Sequence, residues 1–174
     1  GGHTRRAMEA FPFPATASEV FEKFFQPEGR KDGEPYALVP MYRQVVDSVR
    51  NQITVLANFV EVWLAKEGHD GLVGINFLSK VQMPTLPSLY GAMLAGVDCV
   101  LMGAGIPREI PGALDQLARH EPTSIRFDVQ GPVAGDDDVL KFDPLEGAQG
   151  APPAIRRPWF LPTISSNSLA TMLA

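Results

Sequence analysis

The sequence predicts an α/β fold with parallel strands, and three observations lead there. Two short apolar runs, residues 71–78 and 97–102, flank a small-residue helical stretch over 87–96. A second helical stretch, 111–119, follows the second run, giving the strand–helix–strand–helix order of a parallel sheet. A third apolar run, 159–164, resumes the pattern further on.

Taken in order, residues 1–70 read as mainly helical. Arg5–Ala10 gives a helical turn or two, closed by Phe11-Pro12-Phe13-Pro14, and 18–25 carries apolar residues at 20, 21, 24 and 25. Residues 26–40 read as loop, with Pro27, Gly29, Gly33 and Pro35 as breakers. Met41–Glu67 has the strongest helical periodicity, with apolar residues at 45, 46, 49, 53, 56, 57, 60 and 64. Pro40 suits its first turn, Lys66 its last, and Gly68 a left-handed cap. Its span of about 40 Å makes a kink or break an expectation.

Residues 71–119 form the βαβα segment. Gly71–Leu78 and Val97–Met102 read as strands buried in a parallel sheet, and Gly96 caps the helix between them. Over 123–143 the pattern changes: Ser124–Val129 and Leu140–Asp143 alternate apolar and polar around a Gly/Pro/Asp turn, the signature of an inserted antiparallel hairpin. After a Gly/Pro linker at 147–153, residues 158–174 give a further strand and the start of a helix capped by Ser165-Ser166-Asn167. Pro162 fits a central strand badly, because it removes a ladder donor.

Composition excludes several classes. Among 174 residues, 20 Asp and Glu against 15 Lys and Arg leave no dense basic run for a nucleic-acid backbone. One cysteine, Cys99, excludes a disulfide framework and points to a reducing cytoplasm. No apolar run is long enough to span a membrane. There is no metal-ligand cluster, nucleophile elbow or phosphate-binding P-loop, and Gly103-Ala104-Gly105 lacks the spacing of a dinucleotide fingerprint.

Asn76 is the leading candidate for ligand contact. A carboxamide in a buried run must find hydrogen-bond partners, from a cofactor edge, a phosphate or neighbouring backbone. Gly103 and Gly105 at the next strand end permit close approach of a ligand. Ser165, Ser166 and Asn167 open a helix, where capping alone accounts for such residues but an anion is also suited. Ser79, Lys80 and Gln82 continue the first strand into its loop, and Lys80 reads as a solvated lysine ahead of a phosphate ligand. His3, His69 and His120 read as structural, His3 lying upstream of every strand. Cys99 reads as a buried, inert thiol.

The run Val73-Gly74-Ile75-Asn76-Phe77-Leu78, with Leu86-Pro87-Ser88-Leu89-Tyr90-Gly91 and on through Met102-Gly103-Ala104-Gly105-Ile106-Pro107, resembles the nitronate monooxygenase family, formerly called 2-nitropropane dioxygenases. The resemblance is closest to a bacterial subgroup with an extra hairpin between barrel strands. It implies an FMN-dependent TIM (β/α)8 barrel that oxidises alkyl nitronates with O2. A related branch consists of FMN-dependent enoyl-acyl carrier protein reductases, which require NAD(P)H and act on an enoyl thioester.

On this resemblance the chain is a partial barrel, an internal fragment holding the third to fifth barrel strands plus the hairpin. Gly74, Ile75 and Asn76 match the family's flavin-contacting G-[VI]-N motif. Barrel geometry places Ser165 and Ser166 near the flavin, without a motif match. The family's Gly-Gly-Met-Gly segment, its Ala-Gly-Gly-His segment with the catalytic histidine and its late flavin-phosphate site have no counterpart here. Gly1-Gly2-His3 copies the second in letters only, and Arg156-Arg157-Pro158 stands where some members place a lysine. The catalytic residues are therefore unassigned, the isolated chain is expected to be inactive, and its oligomeric state is open. A third reading makes the chain a non-catalytic barrel segment that binds a partner through its hairpin and long helix.

Overall fold

The structure, a computed structural model, describes residues 2–43, 47–103, 105, 107–127, 139–164 and 166–173. Three helices come first: α1 (Gly2–Glu9), α2 (Pro14–Phe24) and α3 (Ser48–Ala65). Pro14 occupies the first turn of α2, where its missing N–H costs nothing. Phe11, in the turn between α1 and α2, sets its ring edge-on against Phe59 of α3 with centroids 5.1 Å apart. That contact seats the N-terminal pair on the long helix.

The helix expected over Met41–Glu67 begins only at Ser48, and Asp47 caps it by accepting from the Arg50 N–H at 3.1 Å. The reason lies in tertiary contacts that periodicity does not carry. Arg50 is buried, its guanidinium lies 4.2 Å from the Tyr42 ring centroid, and its Nη1 donates to the Met41 carbonyl. Residues 41 and 42 therefore fold back along α3, and Tyr42 reaches the Thr54 hydroxyl. Pro40 thus lies outside the helix. The C-terminal end agrees with expectation, with Lys66 as cap and Gly68 at φ +84°.

The α/β part follows as β1 (Gly74–Leu78), α4 (Thr85–Leu94), β2 (Cys99–Gly103) and α5 (Ile110–Ala118). Next come β3 (Thr123–Arg126), β4 (Val139–Phe142), β5 (Trp159–Pro162) and α6 (Asn167–Leu173). β1, β2 and β5 form one parallel sheet in that order, with Asn76, Leu101 and Leu161 in register across it. β3 and β4 pair antiparallel in a separate sheet, so the inserted hairpin is present. Its expected turn at 130–138 lies outside the described residues. Pro162 is accommodated because β5 is an edge strand and Pro162 ends it; Thr163 N–H then donates to the Met102 carbonyl at 2.8 Å.

α4 is buried along its length and crosses α3 at very close range. Gly91 makes this possible: a Cβ there would lie 2.1 Å from the Val55 carbonyl oxygen. The core is built from α3, α4, α5 and one face of the sheet, through Leu56, Leu89, Met93, Val100, Met102 and Leu114.

Candidate functional site

Burial along the sheet decides what its residues can do. Ile75, Phe77, Val100, Met102 and Phe160 point to the helices and are buried or half-buried. The alternate positions, Gly74, Asn76, Leu78, Leu101, Trp159 and Leu161, are exposed, and the three strands alternate in step. β1 and β2 are therefore covered on one face only, contrary to the expectation of strands buried on both. Asn76 is exposed rather than buried, in a row with Leu101 and Leu161. Its carboxamide has no partner among the described residues. Cys99 opens β2 at the margin of this face and is half-buried, not sealed in the core.

The candidate glycines are explained by packing within the chain. A Cβ on Gly74 would lie 2.7 Å from Cys99 Sγ, one on Gly103 3.1 Å from Thr163 Oγ1, and one on Gly105 2.7 Å from Ser79 Cβ. A side chain at Gly103 or Gly105 would therefore crowd Thr163 or Ser79. Ser165 lies outside the described residues. Ser166 is exposed, its Oγ 3.1 Å from Ser168 Oγ, and its carbonyl accepts from Ala170 N–H at the start of α6.

No protein-family model, curated protein or solved structure matches this chain.

At the C-terminal ends of β1 and β2, Ser79, Lys80, Gln82 and Gly105 line a cleft of about 660 Å³ together with Arg108, Glu109 and Arg126. Strand C-terminal ends are where α/β folds place ligands. Reading the sequence missed Arg108 and Arg126, which are separated from Lys80 by whole elements and carry no motif.

The opposite end of the sheet is a structural ion cluster, also missed. Asp98 is buried and accepts from Lys66 Nζ at 2.6 Å, Arg156 Nη2 at 2.5 Å and the Val73 N–H at 2.8 Å. The Lys66 hydrogen bond, followed by the Val73 N–H and despite burial, lowers its pKa to about 2. An aspartate inside the apolar run 97–102 was the available signal, since a buried carboxylate demands partners. Arg156 is therefore spent on this cluster, and Arg157 pairs with Asp115.

All three histidines make hydrogen-bonding contacts within the chain. His120, at φ +58°, takes the Tyr90 hydroxyl on Nδ1 at 2.9 Å and faces the Pro153 carbonyl with Nε2 at 3.0 Å. That network assigns the proton to Nε2. His69 closes α3 through Nε2 to the Ala65 carbonyl and accepts the Gly71 N–H on Nδ1. His3 lies in α1 with Nδ1 2.9 Å from Arg6 Nη2. Among the described residues no three His, Cys, Asp or Glu side chains gather to hold a metal, and no helix is long and apolar enough to cross a membrane.

The open face sets the exposed Leu101 and Leu161 in one row with Asn76, whose carboxamide lies between its β1 neighbours Gly74 and Leu78. A carboxamide can both donate to and accept from a ligand's polar edge.

Proposed function

We propose that this chain is a segment of an FMN-dependent (β/α)8 oxidoreductase of nitronate monooxygenase type. One observation carries the reading: sequential parallel strands with one face against helices and the other open and largely apolar. All-parallel sheets occur with both faces covered. A doubly wound sheet covers both with helices, whereas a barrel turns one face inward onto its own side chains. The in-step exposure of Leu78, Leu101 and Leu161 supports the barrel arrangement.

In this reading Asn76 would hold the polar edge of the flavin ring, and Leu101 and Leu161 would pack against its apolar body and exclude water. FMN, when bound, supplies the electron transfer that lets O2 oxidise an alkyl nitronate. The chain's contribution is orientation, and its histidines are committed to structural contacts. The single cysteine suits a reducing cytoplasm.

Oxygen uptake with propyl nitronate by the complete gene product tests the activity. NADPH oxidation with an enoyl thioester, and no nitronate-dependent uptake, would shift the reading to an enoyl-thioester reductase. A folded product that neither contains nor takes up FMN would overturn both, leaving a barrel segment with a binding role.

A further inference from the structure

We propose that the cleft beneath the hairpin is a binding site for an organic phosphate, separate from the open sheet face. Among the described residues, three cations, Lys80, Arg108 and Arg126, line it against one carboxylate, Glu109, although the chain as a whole carries net charge −5. None of the three cations has an ion-pair partner among the described residues, so all three charges are available to a ligand. Glu109 forms no ion pair with them among the described residues; its Oε2 accepts from the Arg126 backbone N–H at 2.8 Å.

The remaining donors point the same way. Ser79 Oγ is shielded from water and has no hydrogen-bond partner among the described residues, and it lines this cleft. A shielded hydroxyl without an acceptor is costly, and an anionic oxygen would satisfy it. α4 and α5 both start at the cleft, through Thr85 and Ile110, and neither has a side-chain cap. Their N-terminal dipoles add to a positive field that favours an anion.

The floor identifies the rest of the ligand. Met102, Ile110 and Ile125 form an apolar base, and about 660 Å³ is far more than an inorganic anion fills. The class that fits is a phosphomonoester whose organic body packs on those three side chains while Lys80, Arg108 and Arg126 take the dianion. Met102 faces the helices, not Asn76, so this site does not depend on the flavin reading.

Titration calorimetry of the full chain with phenyl phosphate, benzoate, phenol and inorganic phosphate tests the proposal. Phenyl phosphate is expected to bind about tenfold or more tightly than each of the others, and to weaken as salt is raised. R108Q and R126Q are each expected to weaken it about tenfold, and K80Q by a smaller factor. All three side chains are exposed, so the variants keep the wild-type circular dichroism spectrum and melting temperature. Amide shifts of Ser79 and Gly105 on adding phenyl phosphate would place the ligand in the cleft. Binding that survives the three substitutions together, benzoate or phenol binding as tightly, or no binding of phenyl phosphate would overturn the proposal.

Discussion

Lys66 Nζ lies 2.6 Å from Asp98 Oδ2, so the C-terminal cap of α3 is tied directly to the residue that precedes β2. Through the same carboxylate, Val73 before β1 and Arg156 before β5 are held at one end of the sheet. Asp98 thus sets the relative positions of the long helix and all three parallel strands.

This junction makes the fold acid-sensitive. The Asp98 pKa falls from 3.8 to about 2 on folding, so its contribution is complete above pH 4 and is lost as pH falls from about 4 to about 2. The loss amounts to about 2 kcal/mol. Asp98→Asn is expected to cost about 2–3 kcal/mol at neutral pH and to flatten that acid limb, as read by urea unfolding at several pH values. An unchanged acid limb would show that another carboxylate governs it.

Gly91 sets the distance between α3 and α4. Any side chain there meets the Val55 backbone, which cannot rotate aside, so Gly91→Ala is expected to cost about 3 kcal/mol or more. Gly96→Ala serves as the contrast. Its Cβ would meet nothing, and only the strain of φ +76° is added, about 1 kcal/mol. Denaturant midpoints of the two variants check the order.

Tyr90 and His120 bond the core to the chain leading into β5. Tyr90 is buried, and that burial raises its hydroxyl pKa, with Asp143 acting in the same direction. Its ionisation is disfavoured in the folded state, so stability falls as pH rises above 10. Tyr90→Phe removes that alkaline slope and costs about 1 kcal/mol at neutral pH by leaving His120 Nδ1 unpaired. Unfolding curves on either side of pH 10 separate the two effects.

What the sequence made legible was local. The apolar runs at β1, β2 and β5, the glycines after α3 and α4, and the alternation of the hairpin are all properties of neighbouring residues. The start of α3 was not legible, because Arg50 and Tyr42 draw residues 41 and 42 back along the helix rather than into it. The exposure of Asn76 was hidden for another reason. A continuous apolar run reads the same whether one face of its strand or both are covered, and here the apolar side chains on the open face mask the alternation. Which neighbours crowd Gly103 and Gly105 was not legible either, because Thr163 and Ser79 meet them only through the fold. The cleft was illegible because Lys80 follows β1, Arg108 precedes α5 and Arg126 ends β3, with whole elements between them in the chain.

Asn76 is the one polar side chain in the exposed row it shares with Leu101 and Leu161. The most direct measurement is FMN affinity, followed by quenching of flavin fluorescence, for the complete gene product and its Asn76→Ala variant. The wild type is expected to bind FMN, and the variant, with an unchanged melting temperature, to bind it about tenfold more weakly. A folded wild type that leaves flavin fluorescence unchanged, or an Asn76→Ala variant with undiminished affinity, would contradict the flavin reading.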